Sequence, residues 1–385
     1  MFLLKLILKN AFRHTLRSSL TVLGVAVAIL AFGMLRTLID TWYLGVEASS
    51  ASRLVTRNAI SLIFPLPLAY REKIRSVDGV AVVSPGNWFG GIYIDEKNFF
   101  ASFALEPDSF FSLYPEILLS EPEAKAFGRD RKGAVVGRKL AERFNWKIGD
   151  TITLKGTIYP GDWPMNIVGI YRGARTDTDE TVLYFQWDYL NEATKKRFPD
   201  RADQVGFYMI GIDDASRAAE ISHAVDALFL NSRAETLTET EKAFQLGFVA
   251  MSSAILVAIE IVSYVVILII LAVAANTMAM SARERTGEYA VFKTLGFHSS
   301  TLAWLLVGES LTLSLSGALL GLALLFPTTQ AFGKALSQFL PSFQVAPSTL
   351  AMGAAAGLFV GLAAAAVPAL TVARVRIAEG LRRIG

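Results

Sequence analysis

The sequence predicts a membrane protein with four transmembrane α-helices, an interfacial N-terminal helix, and a large extracytoplasmic mixed α/β domain inserted between helices 1 and 2. Three observations carry this. First, 53% of the 385 residues are hydrophobic and only 18% are charged, which is too apolar for an ordinary soluble enzyme. Second, the apolar residues cluster in runs at 20–39, 248–280, 302–326 and 350–372, each near or above the roughly 20 residues that cross a hydrocarbon core of about 30 Å. Third, cations gather at one end of every run: Lys5, Lys9, Arg13 and Arg17 before the first; Arg283, Arg285 and Lys293 between the second and third; Arg374, Arg376, Arg382 and Arg383 after the fourth. By the positive-inside rule these segments, and both termini, are cytoplasmic.

Residues 1–19 repeat a cation every fourth position, Lys5, Lys9, Arg13 and Arg17, beside an apolar set of Leu4, Ile7, Leu8, Ala11 and Phe12. That spacing suits a membrane-surface helix, with each cation near anionic headgroups contributing about 1 kcal/mol. Residues 20–44 form the first span. A cleaved signal peptide is the alternative, but the small residues EASSAS begin well past the apolar run, beyond Arg36, Asp40 and Trp42, so an uncleaved anchor is expected. The absence of cysteine excludes a lipoprotein anchor, a disulfide framework and thiolate metal sites.

Residues 45–247 are long enough for a domain with its own core. GAVVGRKLAERFNWKIGDTITLKG reads as strand, helix, turn, strand. MNIVGIY and GFYMIGI read as strands, and SRAAEISHAVDALFL as an amphipathic helix. Aromatics crowd 87–114, as core or as an apolar binding surface. No catalytic signature appears. The three histidines, His14, His223 and His298, do not cluster, and neither a P-loop nor a GxSxG elbow is present. Asp177, Asp179 and Glu180 in RTDTDET read as an exposed acidic turn rather than a cation site. No cofactor, metal or nucleic acid is expected.

Residues 248–280 exceed one crossing, so their first part is expected to form a stalk before the second span. Residues 281–301 form a cytoplasmic loop, 302–326 the third span, 327–349 an outer loop, 350–373 the fourth span and 374–385 a cytoplasmic tail. Ionisable side chains inside spans cost at least about 2.5 to 3.5 kcal/mol and call for a partner. Arg36 and Glu260 lie at similar depth and are candidates to pair; Glu309 in VGESLTL lies too deep for an interface residue. Gly317 and Gly321, and the GxxxGxxxG of Gly353, Gly357 and Gly361, permit close helix approach. Packing within one chain is the simplest use of them.

Between the second and third spans, NTMAMSARERTGEYAVFKTLG breaks an apolar stretch with an amphipathic turn or two. Glu284, Arg285, Glu288 and Lys293 surround an apolar set of Tyr289, Val291, Phe292 and Leu295, ahead of Gly296. A short amphipathic helix of this kind suits a partner's groove. This motif, then VGESLTLSLSGALLGL and VPALTVARVRIAEGLR, resembles the C-terminal region of MacB/FtsX-like ABC transporter permeases. AVVGRKLAERFNWKIGDTITL and IVGIY resemble their periplasmic core domain. The resemblance weakens over 42–70 and around the aromatic segment.

The resemblance implies an inner-membrane permease working as a homodimer or with a sister permease. It also implies separate cytoplasmic ABC ATPase subunits, which bind the ATP and magnesium and dock on the elbow through Glu284, Arg285, Glu288, Tyr289, Phe292, Lys293, Leu295 and Gly296. Membrane lipids are further partners, and a periplasmic adaptor or outer-membrane protein is a candidate one. The expected function is mechanotransmission: hydrolysis moves the outer domain, which exports or extracts an amphipathic or lipidic substrate. Alternatives are activation of an extracytoplasmic cell-wall hydrolase, lipoprotein release, and a scaffold without energy coupling. The chain itself is not expected to be an enzyme.

Overall fold

The computed structural model describes residues 2–175, 178–335 and 343–374. Asp177, Arg376, Arg382 and Arg383 therefore lie outside the described residues. The chain opens with α1 (Phe2–Ala11) and α2 (Thr15–Ala48). There follow β1 (Arg53–Asn58), β2 (Leu66–Pro67), α3 (Tyr70–Arg75), β3 (Val80–Trp88), β4 (Gly91–Tyr93), β5 (Ser102–Leu105), α4 (Pro107–Leu113), β6 (Ile117–Leu118) and α5 (Glu121–Arg129). Next come β7 (Gly133–Gly137), α6 (Arg138–Phe144), β8 (Thr151–Gly156), β9 (Gly161–Gly173), β10 (Leu183–Gln186) and α7 (Trp187–Arg197). The inserted part closes with β11 (Gln204–Val205), β12 (Phe207–Ile212), α8 (Ala218–Ala227), β13 (Thr236–Thr240) and α9 (Glu241–Met251). The chain ends through α10 (Ser253–Glu284), α11 (Thr286–Thr294), α12 (Ser299–Ala335) and α13 (Pro347–Ala373). Two compact units result, one essentially Tyr43–Met251 and the other built from the two ends of the chain.

The helical unit contains four helices long and apolar enough to cross a membrane: α2, α10, α12 and α13. The expected helix over 1–19 is corrected. The chain breaks at 12–14, where Ser18 Oγ donates to Ala11 O at 2.5 Å, so Lys5 and Lys9 sit on α1, Arg13 in the break and Arg17 on α2. The outer loop expected over 327–349 also changes, because α12 runs through Pro327 to Ala335. Small residues set the helix contacts. A Cβ on Gly317 would come within 2.6 Å of Val25 Cβ, and one on Gly321 within 2.5 Å of Ala26 O, both on α2. On α13, Gly353, Gly357 and Gly361 meet Leu322, Ala318 and Ser314 of α12, and Ser310 Oγ donates to Gly361 O at 2.7 Å. These glycines bring backbones together within one chain.

The inserted unit is a mixed sheet in the order β13-β1-β12-β3-β5-β10-β7-β9-β8-β4, with β6 added to β9. Strand β10 runs parallel to β5 and β7 parallel to β9; the other pairs on this path are antiparallel. The period-two pattern explains β8 and β9: Ile152, Leu154, Trp163, Met165, Ile167 and Tyr171 are buried while their neighbours along the strands are half-buried or exposed. Most of the aromatic segment is core. Phe89 meets Trp163 and Phe185 edge-on at 5.3 and 5.0 Å, Phe100 and Phe110 are buried, and Trp88 and Phe99 stay exposed. Helix α5 begins with a capping box, Ser120 and Glu123 each bonding the other's backbone N–H.

Where the chain enters and leaves this unit, a buried charge cluster forms. Arg53, at the start of β1, donates Nε to Glu241 Oε2 at 2.8 Å and Nη1 to Leu113 O at 3.0 Å, and its Nη2 lies 2.7 Å from Glu116 Oε1. Its guanidinium stacks 4.2 Å over the Tyr114 ring, and Tyr114 Oη donates to Glu241 Oε1 at 3.0 Å. Glu241 also accepts from Ser50 N. In the stretch read as an exposed acidic turn, the two described carboxylates are likewise satisfied internally: Asp179 accepts from Thr181, and Glu180 is buried against Arg138 at 2.6 Å. Burial pushes the Asp179 carboxyl up, against the two bonds from Thr181.

Candidate functional site

Two residues bound the elbow. Arg285 leaves helical geometry at φ −101°, ψ 13° and ends α10. Helix α11 then starts at once and stops before Gly296, whose φ of +92° lies in the left-handed region where a side chain is strained. Arg285 does more than break the helix. It is buried, and its Nη1 donates to both Glu309 oxygens at 2.8 Å while its Nε donates to Glu288 Oε2 at 3.0 Å. Glu309, buried on α12, thus has its partner on the elbow, 24 residues earlier. Removing one member of such a pair costs about 3–5 kcal/mol, because the other charge is left buried and uncompensated.

Around this bridge lies a small apolar cluster. Tyr289 is fully buried with Ala282, Leu302, Leu306, Ala369 and Val372, and Phe292 packs partly against it. The Tyr289 hydroxyl has no hydrogen-bond partner among the described residues. Lys293 Nζ donates to Ala373 O at 3.0 Å. The expectation of a docking set containing Arg285 and Tyr289 is therefore corrected: both turn into their own chain, since an amphipathic helix this short must bury its apolar stripe on the nearest span ends. The exposed residues over 283–298 are instead Arg283, Glu284, Val291, Thr294, Leu295, Gly296, Phe297 and His298, with Leu295 70% exposed.

The N-terminal cations are placed differently from a free surface stripe. Arg13 Nη1 lies 2.5 Å from Glu288 Oε1, and Arg17 grips Glu284 with two bonds of 2.7 and 2.8 Å. Lys5 and Lys9 remain exposed on α1. Burial pushes the Glu288 carboxyl up, but bonds from Arg13 and Arg285 outweigh it and hold it below the usual carboxylate range. An alternating row Glu309–Arg285–Glu288–Arg13 thus runs from α12 through the elbow to the break before α2.

At the other end of the spans, Arg36 and Glu260 meet at 3.4 Å, as their matched depth suggested. Sequence reasoning missed the rest of that network: Arg36 Nε lies 3.7 Å from Asp40, which accepts from Thr349 Oγ1 at 2.6 Å. The i,i+4 spacing of Arg36 and Asp40 was the available signal. For Arg53 and Glu241, far apart in sequence, there was none. Among the described residues, no cluster of three His, Cys, Asp or Glu suited to a metal occurs.

Four apolar helices, a large α/β unit inserted after the first, and a short helical elbow between the second and third define a polytopic membrane protein of the permease class. Residues 18–228 match the MacB-like periplasmic core domain, and residues 260–377 match the FtsX-like permease C-terminal region. The chain belongs to the MacB/FtsX-like family of ABC transporter permeases. An uncharacterized ABC transporter permease of Methanocaldococcus jannaschii is 23% identical over 337 residues, covering 82% of this chain and 80% of that protein. Another, from Mycobacterium tuberculosis, is 23% identical over 261 residues, covering 65% of this chain and 29% of that protein. Among solved structures, the periplasmic region of MacB from Actinobacillus actinomycetemcomitans aligns with a TM-score of 0.38 at 10% identity, over 53% of this chain and 95% of that one. The extracellular domain of the noncanonic ABC-type transporter YknZ from Gram-positive bacteria aligns with a TM-score of 0.36 at 8% identity, over 49% of this chain and all of that one. Membership of this family implies a cytoplasmic ATPase partner.

Proposed function

We propose that the chain is the permease subunit of an inner-membrane ABC transporter with cytoplasmic termini, and that it couples hydrolysis by a separate ATPase to motion of its extracytoplasmic domain. The work done there is export or extraction of an amphipathic or lipidic substrate. The observation that carries this reading is the elbow: a short helix anchored by the buried Arg285–Glu309 bridge, presenting Val291, Leu295 and Phe297 to solvent. A displaced elbow drags on α12 through that bridge, because a buried ion pair resists separation. The test is Leu295→Ala, which removes an exposed side chain outside the apolar cluster. Burying Leu295 in a partner groove is worth about 1.5–3 kcal/mol, so the variant should fold normally yet lose ATPase co-purification and substrate-stimulated hydrolysis. Unchanged retention and turnover would overturn the docking role.

A further inference from the structure

Between the break before α2 and the side of α10 lies a cavity of about 650 Å³. Its basic lining is Arg13, His14 and Arg17, and its apolar wall is Leu16, Leu20 and Val273. Leu16 and Leu20 are 75% and 62% exposed on a helix apolar enough to span a membrane. Among the described residues no carboxylate lines the cavity; Glu284 and Glu288 pair with its two arginines. Those pairs are half-exposed, so each is weak and exchangeable. A guanidinium has five N–H donors. Arg13 spends one nitrogen on Glu288 and Arg17 two on Glu284, which leaves donors over. The hydroxyls of Thr21 and Thr277 are turned to their own helices at 3.0 and 2.9 Å, so the cations are the anion-facing groups.

We propose that this cavity binds an anionic phospholipid, with its phosphate on Arg13, His14 and Arg17 and an acyl chain along Leu16, Leu20 and Val273. A soluble anion satisfies the cations but leaves the leucine wall bare; a lipid satisfies both. The same two arginines hold the elbow, so headgroup and elbow carboxylates compete for them, and by linkage whatever weakens one partner's hold strengthens the other's.

The test titrates the delipidated whole chain in detergent with phosphatidylglycerol or phosphatidylcholine and reads bound lipid by native mass spectrometry. Phosphatidylglycerol should be retained over phosphatidylcholine. Arg13→Gln/Arg17→Gln should weaken it roughly thirtyfold, Lys5→Gln/Lys9→Gln, on α1 outside the cavity, should change it little, and Glu284→Gln/Glu288→Gln should tighten it. Thr277→Trp fills the cavity without touching a charge, so it should displace the lipid even if the arginine variant fails to fold. Equal loss in both cation variants would mean diffuse surface attraction and overturn the site. So would full retention in Thr277→Trp, slackened binding in the glutamine pair, or complete competition by millimolar inorganic phosphate, which would make it a free-anion site. None of these readouts involves an ATPase, so the outcome is independent of the coupling reading.

Discussion

At the scale of single residues, the buried bridge between Arg285 and Glu309 decides most. Glu309→Leu leaves the buried guanidinium with Glu288 as its remaining carboxylate and should cost up to about 3–5 kcal/mol. Glu309→Gln keeps an acceptor in place and should cost less, and Arg285→Leu/Glu309→Leu should recover much of the loss. Thermal unfolding of the detergent-solubilised chain through this double-mutant cycle is the check; additive losses would show that the two side chains do not act together. Part of this was legible. Glu309 stood out as a charge too deep in an apolar run, and matched depth made Arg36 and Glu260 candidates to pair. Arg285 was read as a surface cation because one-dimensional spacing gives the period of α11 but not which face the neighbouring spans cover.

At the scale of elements, the break before α2, α2 itself and the elbow are joined by exposed pairs, Arg13–Glu288 and Arg17–Glu284, each worth about 0–1 kcal/mol. Arg17→Glu should loosen the elbow, and Arg17→Glu/Glu284→Arg should restore it, seen as hydrogen-exchange protection of α11. Failure of the swap to restore protection would mean that Arg17 acts through something else. In the inserted unit, Ser120→Ala should cost about 1 kcal/mol. Burial pushes Glu123 up, but bonds from Ser120 and from the Ile170 backbone outweigh it, so its carboxyl titrates below the ordinary 4.5. A depressed folded-state value means stability that is present above 4.5 and lost as pH falls through and below it. Protection of α5 should therefore fall on acidification in the native chain, and Glu123→Gln should flatten that dependence; equal slopes would remove the capping carboxylate from the account. The strand and helix pattern of 133–156 was readable from alternation and turn residues. The break at 12–14 was not, because a cation every fourth residue fits one long helix as well as two.

For the whole molecule, the cations flanking the four spans predict one topology, with both termini and the elbow on the cytoplasmic side. The chain has no cysteine, so single introduced thiols report cleanly. Ser232→Cys should react with an impermeant reagent in intact spheroplasts, while Thr286→Cys should not. Labelling at Thr286 would invert the assignment. Spans and inserted domain were legible because composition and charge bias are long-range averages. The sheet order was not, since β13 and β1 are neighbours separated by most of the domain's sequence.

That neighbourhood has a mechanical meaning. The inserted unit is reached through β1 and left through β13 and α9, and β13 is the edge strand, paired antiparallel to β1 with Leu54 opposite Thr240 and Asn58 opposite Thr236. Tension between the two attachment points therefore peels β13 from β1 one rung at a time, the geometry in which hydrogen bonds share load least. The first thing such a pull meets is Arg53 gripping Glu241. In an optical trap, with handles at Ser49 and Ser252, Arg53→Met should lower the force at which the pair opens and leave the rest of the unfolding trace unchanged.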